Sequence, residues 1–156
     1  TPFDYESVDL LYSLDVPIFK IASADITHIP LIKKIAKKKL PIILSTGMAD
    51  QKEVDTAVSI FKAKKTKFAL LHCVSVYPTP EKEANLSRMI SLAKRYKVKV
   101  GFSDHTLGIE ACLAATALGA SILEKHFTLN SKDKYTRDHA ISFEPIKFKL
   151  LVKKIN

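Results

Sequence analysis

The feature that most constrains this chain is a repeat in which a short apolar run is followed by a longer amphipathic stretch. The runs are VPIFKIAS (16–23), LPIILST (40–46), KFALLHCV (67–74), VKVGFS (98–103) and ASILEKHF (120–127). Near-continuous apolar strands that alternate with helical segments are typical of a parallel sheet covered by helices. The sequence therefore predicts an α/β fold with five parallel strands.

The spacing of the runs narrows the architecture. The strands predicted within these runs end at Ser23, Ser45, His72, Ser103 and His126, so successive strand ends are 22, 27, 31 and 23 residues apart. This period fits an open doubly wound sheet or part of a (β/α)8 barrel. The GxGxxG and GxxxxGK[ST] patterns of nucleotide-binding sheets are lacking. Every run ends in polar residues, and in a barrel all strand ends meet at one mouth, so the sequence favours a partial barrel.

The helical stretches carry their own signals. TPFDYESVDLLYSL has a spaced apolar face, and IEACLAATALGA is apolar nearly all round and ends at Gly119. In ADQKEVDTAVSIFKA, Asp50 is a predicted N-cap, and Glu53 follows at the spacing of a capping box.

Composition excludes several classes of protein. The chain has 156 residues, 47% of them hydrophobic, which suits one globular domain, and no apolar run approaches the ~20 residues of a membrane span. The start TPFDYESVDL does not resemble a signal peptide. The only cysteines, Cys73 and Cys112, form no CxxC pair, which fits a reducing cytoplasm.

The net charge of +9 comes from lysines scattered at predicted helix ends. We interpret them as a solvated surface that attracts small anionic substrates, and we expect neither a nucleic-acid site nor membrane binding. The alternative is a non-enzymatic basic binding module, but the chain lacks a basic stripe interleaved with aromatic residues.

Two histidines are the first candidates for chemistry. His105 and His126 end neighbouring predicted strands, and two neutral imidazoles with open positions suit a catalytic divalent ion. The residues alone leave open that both histidines belong to polar networks. His72 is interpreted as a hydrogen-bonded strand-end histidine, and Lys125 should point away from the face of His126. Lys20 interrupts PIFKIAS, and a lysine inside a buried strand needs a partner.

Several long, ordered blocks resemble the sialic acid synthase (N-acetylneuraminate synthase) family over about residues 1 to 145. They are TPFD, KIAS, ILSTGMA, LLHCVSVYPTP, GFSDHTLGIEA and ALGASILEKHFTL. The resemblance implies strands four to eight of a TIM barrel. We therefore expect residues 1–156 to be the C-terminal part of a TIM-barrel synthase domain, without its first three strands and without the family's antifreeze-like domain.

The resemblance also implies an activity. The family condenses phosphoenolpyruvate with an N-acyl hexosamine such as N-acetylmannosamine, makes a nine-carbon 2-keto-3-deoxy sugar acid and releases phosphate. It requires a divalent metal, usually Mn²⁺, with Mg²⁺ or Co²⁺ as alternatives. The resemblance further implies a cytoplasmic enzyme that is a homodimer when full length.

Roles for individual residues follow from the same resemblance. His105 and His126 match the metal ligands, and Asp25 matches a catalytic acidic position that is usually Glu in the family. Tyr77 and Asp138 match sugar-contacting positions, although YTRDH replaces the family's usual Gly-Pro-Asp and Ser75 stands where some members have Asn. The positions that match phosphoenolpyruvate contacts are Thr1, Lys20, Ser23, Ser45 and Ser103.

Other activities stay open at this point. Within the family, the alternatives are synthases for legionaminic acid, pseudaminic acid or spore-coat sugars. A different chemistry on the same barrel is a Schiff-base aldolase that uses Lys20 or Lys125 as the nucleophile.

Overall fold

The computed structural model describes all residues, 1–156, and the chain divides into two compact units. The first unit is Thr1–Leu71 and the second is His72–Asn156. The third strand belongs to both units, because the division falls inside it.

Five strands form a sheet whose order follows the chain, β1-β2-β3-β4-β5. The pairs β1–β2, β2–β3 and β4–β5 are parallel. The strands are β1 (Phe19–Ile21), β2 (Ile42–Ser45), β3 (Phe68–Cys73), β4 (Val100–Asp104) and β5 (Leu123–Lys125). Parallel strands in chain order, separated by helices, are the arrangement of consecutive strands in a (β/α)8 barrel. The predicted fold class is confirmed.

Six α-helices of 8 to 13 residues alternate with the strands. They are α1 (Tyr5–Ser13), α2 (Ile29–Lys37), α3 (Gln51–Ala63), α4 (Ser87–Tyr96), α5 (Glu110–Ala117) and α6 (Pro145–Ile155). None of them combines the length and the apolar character that crossing a membrane requires. Gly119 follows α5 with φ +91°, a left-handed conformation that glycine adopts without strain.

In the first unit, helix α2 shows how the sequence produces a packed face. Leu31, Ile32, Ile35 and Ala36 recur at helical spacing and are fully buried. Thr66, at the start of the loop before β3, donates its hydroxyl to the Ala36 carbonyl at 3.2 Å. The same carbonyl also accepts the Lys39 N–H at 3.3 Å, so the last turn of α2 is tied both to its own continuation and to the loop before β3.

In the second unit, a cluster of apolar side chains joins α5 to α6. Cys112, Phe143 and Leu151 are buried in it, and Leu123 of β5 and Phe148 of α6 pack against them. Cys73 and Cys112 are both free thiols, as expected for cysteines that form no framework.

The strands are shorter than the apolar runs suggested. β4 ends at Asp104 and β5 ends at Lys125, so His105 and His126 lie one residue beyond their strands. The prediction that these histidines end the strands was therefore wrong by one residue.

The N-terminus of α3 forms the predicted capping box. Asp50 accepts a hydrogen bond from the Glu53 backbone at 2.8 Å, and Glu53 accepts one from the Asp50 backbone at 2.8 Å. We expect Asp50→Ala to lower the free energy of unfolding by about 1 kcal/mol. Asp50→Ser, which keeps an acceptor, should lose much less in urea denaturation. Equal stability of Asp50→Ala and the parent protein would show that the box contributes nothing.

Candidate active site

In the first unit, two of the predicted substrate residues share one face of the sheet. Lys20 pairs with Ile43 in the β1–β2 register, and Ser45 lies two residues beyond Ile43 on β2. Because side chains alternate along a strand, Lys20 and Ser45 point to the same side. Lys20 is half-buried between Phe19 and Ile21, which are buried on the opposite side.

The turn after β1 adds two more polar groups to this unit. Residues Ser23–Asp25 form a single 3-10 turn, in which the Ser23 hydroxyl accepts a hydrogen bond from the Gly47 N–H at 3.0 Å. Thr1 is exposed at the start of the chain.

Two buried oxygens of the first unit have no hydrogen-bond partner: Oδ2 of Asp25 and the hydroxyl of Ser45. Buried polar atoms are nearly always paired, because an unpaired one loses the hydrogen bonds it made to water. The orphaned oxygens are therefore candidates for contacts with a bound ligand or water.

In the second unit, β4 and β5 bring the two candidate metal ligands together. Asp104 is the register partner of Lys125, and the next residues along the two strands are His105 and His126. Their ring centroids are 5.2 Å apart. His105 is 5% exposed, whereas the side chain of His126 is 30% exposed.

The hydrogen bonding of His105 leaves one ring nitrogen available. Nδ1 lies 2.8 Å from the carbonyl oxygen of Val74, and a carbonyl can only accept, so Nδ1 donates its proton. In the neutral imidazole, Nε2 then carries the lone pair. In metal sites of other proteins, a hydrogen bond from the second ring nitrogen to a carbonyl orients a ligating histidine in the same way.

Tyr77 and Asp138, which the sequence resemblance matches to sugar-contacting positions, lie beside the histidine pair. The Tyr77 ring is 4.1 Å from the His105 ring and 6.0 Å from the His126 ring. Oδ2 of Asp138 lies 3.7 Å from Nδ1 of His126. Thr79 donates its backbone N–H to the His105 carbonyl at 2.9 Å, which fixes the loop that carries Tyr77.

Burial sets the protonation of this cluster. It lowers the pKa of His126, and the neighbouring His105 lowers that pKa further, while Asp138 and Glu124 oppose the shift. Burial also raises the pKa of Tyr77. At neutral pH, His126 is therefore an uncharged imidazole and Tyr77 keeps its proton.

Sequence reasoning missed Glu124. It is the register partner of Ser103, whose hydroxyl donates to Oε1 of Glu124 at 2.7 Å. Glu124 of β5 is two residues before His126, which directly follows the strand, so both side chains point to one face. The signal was present, since a carboxylate within the run ASILEKHF needs a partner as much as Lys20 does.

The histidine pair fits a divalent ion as part of a ligand set. Nowhere in the chain do three or more His, Cys, Asp or Glu side chains converge as a metal site. Two imidazoles 5.2 Å apart would therefore supply two ligands and leave positions for water and substrate, as catalytic metal sites require.

His72 has a different environment from the histidine pair. Its Nε2 donates to the Ala84 carbonyl at 2.7 Å, its ring stacks on Phe102 at 5.7 Å, and it is 1% exposed. These contacts are those of the hydrogen-bonded strand histidine that the sequence suggested. Its Nδ1 is buried without a partner.

The family model that describes the NeuB family matches residues 1–156 of this chain. The chain belongs to the NeuB family. This membership confirms the resemblance drawn from the sequence blocks, and it places the histidine pair on a scaffold whose named relatives are sugar-acid synthases.

Two curated relatives and one solved structure illustrate the membership. The chain is 51% identical to an N,N'-diacetyllegionaminic acid synthase of Campylobacter jejuni, over 99% of this chain and 47% of that protein. It is 43% identical to a pseudaminic acid synthase of Helicobacter pylori, over 99% of this chain and 46% of that protein. A crystal structure of an N-acetylneuraminic acid synthetase from Leptospira borgpetersenii, in complex with citrate, superposes with TM-score 0.95 at 46% identity, covering 99% of this chain and 54% of that one.

The chain spans about half the length of the curated relatives it matches. The match nevertheless runs through nearly all of this NeuB-family chain, so the strand ends that carry the candidate residues all lie within the aligned part.

The buried imidazole of His72 should make stability depend on pH. Burial is the main cause that lowers its pKa in the folded protein, so the unfolded chain binds the proton more readily. The stabilisation is then complete above the ordinary histidine pKa of about 6.5 and is lost as pH falls below it. His72→Gln can still donate to Ala84 but does not titrate.

Urea denaturation at a series of pH values from about 8 to 5 tests this difference. We expect the parent protein to lose stability more steeply than His72→Gln as the pH falls. Parallel curves would show that His72 does not contribute to the dependence, because all other titrating groups are common to both proteins.

Proposed function

We propose that the protein condenses phosphoenolpyruvate with an N-acyl hexosamine, such as N-acetylmannosamine, to a nine-carbon 2-keto-3-deoxy sugar acid and releases phosphate. The observation that carries the proposal is the pairing of His105 and His126, with Nε2 of His105 available and the Tyr77 ring 4.1 Å from the His105 ring. Membership in a family of named sugar-acid synthases supports the reaction class.

A divalent cation would be held by His105 and His126. We propose Mn²⁺, with Mg²⁺ or Co²⁺ as alternatives. When bound, such an ion acts as a Lewis acid that polarises the aldehyde of the sugar. The lowered pKa of His126 supports this role, because only the neutral imidazole can ligate a metal.

The first unit would bind phosphoenolpyruvate. Its phosphate and carboxylate need cations and hydroxyl donors, and Lys20 and Ser45 project from the same side of β1 and β2. The unpaired Ser45 hydroxyl supports this role, since a buried donor gains a full hydrogen bond from an anionic oxygen. Thr1 and Ser23 of this unit are proposed as further contacts, and the family resemblance also matches Ser103 of the second unit to such a contact.

Asp25 would act where protons move. In the proposed reaction, C3 of phosphoenolpyruvate attacks the aldehyde carbon, water attacks C2 and phosphate leaves. The buried Oδ2 of Asp25 has no partner and is free to accept a proton from the attacking water or to position a sugar hydroxyl.

The sugar would be recognised through Tyr77 and Asp138. A second candidate is the synthesis of a legionaminic-type acid, because the relative with 51% identity is a named N,N'-diacetyllegionaminic acid synthase. The sequence YTRDH around Asp138 departs from the motif expected of N-acetylneuraminate synthases, which also favours a different N-acyl sugar.

We further propose a cytoplasmic homodimer; the two free, buried thiols fit a reducing compartment.

The proposal is tested by phosphate release from the protein at its full natural length. Phosphoenolpyruvate is supplied with Mn²⁺ and, in turn, N-acetylmannosamine and diacetamido hexoses. Release that requires both a sugar and the metal supports the synthase. Trapping of a pyruvate imine on Lys20 or Lys125 by borohydride would instead support the aldolase, since the synthase reaction forms no imine.

The histidine pair should be essential for metal-dependent turnover. We expect His105→Ala and His126→Ala each to remove most of the dependence on Mn²⁺ and nearly all phosphate release, because each removes one of two protein ligands. His72→Gln is the control and should keep most activity, since His72 lies in a separate environment. An equal loss in His72→Gln would show that the ligands are misassigned.

Lys20 and Asp25 should separate binding from chemistry. A buried charge-assisted contact is worth ~1.5–3 kcal/mol, so Lys20→Met should raise the KM for phosphoenolpyruvate ~10–100-fold with kcat little changed. Asp25→Asn removes a base and should lower kcat ~10²–10⁴-fold with KM nearly constant. Asp25→Glu should retain substantial activity. The reverse pattern in steady-state kinetics would exchange the two roles.

A further inference from the structure

Behind the histidine pair lies a buried ion pair that the proposed reaction does not use. Nζ of Lys125 is 2.6 Å from Oδ2 of Asp104, and the two side chains are 1% and 0% exposed. They are direct register partners on β4 and β5. By the alternation of side chains, they point away from the face that carries His105 and His126.

Every donor of the Lys125 ammonium is used. Besides Asp104, it donates to the carbonyl of Thr106, and to that of Gly108 at 3.4 Å. It also lies 4.4 Å from the centre of the Phe143 ring. An ammonium has three protons, so Lys125 links β5 to the end of β4 and the loop that follows it with no donor to spare.

The Asp104 carboxylate accepts hydrogen bonds from residues on the strands and loop around His105. Its Oδ1 accepts the Thr106 N–H at 2.8 Å, which closes an Asx turn with His105 at the centre. Its Oδ2 accepts from Lys125, from the Thr106 hydroxyl at 3.1 Å and from the Cys112 thiol at 3.2 Å. The Asp104 carboxylate therefore links Thr106, which follows His105, to Lys125, which precedes His126.

This arrangement is sensitive to register. A shift of β5 by one residue would turn Lys125 to the opposite face and leave Asp104 buried without a cation. Burying a charge without a partner is strongly unfavourable, whereas replacing a whole buried pair by apolar groups is often neutral for stability. The pair is thus better suited to selecting one register than to adding stability.

We propose that Asp104 and Lys125 are positioning residues that hold His105 and His126 opposite one another for metal binding. The inference rests on the proposed metal role of the two histidines. In this proposal, Asp104 and Lys125 contact neither metal nor substrate. Their role is to fix the separation and orientation of the two imidazoles.

The test replaces the pair as a unit in the full-length protein. Asp104→Asn/Lys125→Met removes both charges, nearly keeps volume, and retains an acceptor for the Thr106 N–H. The probe is Co²⁺, whose binding is followed by its visible absorption. We expect the double variant to unfold cooperatively and to bind Co²⁺ ~10–100-fold more weakly, the usual cost of losing a residue that orients a metal ligand.

A second measurement needs no metal. In the metal-free protein, the imidazole resonances of His105 and His126 should shift or broaden in the double variant, and the Nδ1–H of His105 should exchange faster with water. The same two substitutions at an exposed pair, Asp9→Asn/Lys34→Met, are the matched control and should leave both measurements unchanged. Met89→Ala, in the buried face of α4, controls for lost stability.

Parent-like Co²⁺ affinity together with parent-like imidazole resonances would overturn the proposal, and so would an equal loss of affinity in Met89→Ala. If His105→Ala and His126→Ala leave Co²⁺ binding intact, the proposed metal role of the two histidines is wrong. The imidazole resonances then decide by themselves whether Asp104 and Lys125 position the two rings. If the double variant does not fold, Asp104→Asn alone, which keeps the Asx turn, is judged by the same two measurements.

Discussion

The shared register of β4 and β5 determines what the second unit can do. Ser103 faces Glu124 and Asp104 faces Lys125, and the strands then deliver His105 and His126 one step further on. Because side chains alternate, the first and third of these pairs lie on one face, and the ion pair lies on the other. A polar ladder on one face is therefore held in place by a fully satisfied charge pair on the opposite face.

The candidate site residues of the two units differ in whether their buried polar atoms already have hydrogen-bond partners. In the first unit, Asp25 and Ser45 keep buried oxygens without partners, which are atoms that a ligand can engage. In the second unit, Nδ1 of His105 is already bonded to Val74, and this bond is what leaves Nε2 with a lone pair. The Ser45 hydroxyl can donate a hydrogen bond to an anion, the Asp25 oxygen can accept one, and an oriented ring nitrogen with a lone pair can ligate a metal.

Much of the fold was predictable, because it depends on local patterns. The strand runs, the capping box at Asp50 and the break at Gly119 are all signals within a few residues. The histidine pair was predictable too, since parallel strand ends converge. Glu124 and Asp104 were missed because their roles depend on register partners 21 residues away, which no periodicity within one run displays. The exact strand ends depend on hydrogen bonds between strands, so they too could not be predicted from the sequence.

The segment between β5 and α6 is held by hydrogen bonds at both of its ends and is exposed to solvent in its middle. His126 and Thr128 exchange backbone hydrogen bonds with Phe143, and Glu144 accepts from both the backbone and the hydroxyl of Ser131. Residues 132–138, which include Asp138, are exposed. The sequence of this exposed tip is therefore free to change without disturbing the backbone around His126. The loop carrying Tyr77, clamped to the ring and backbone of His105, offers no such freedom.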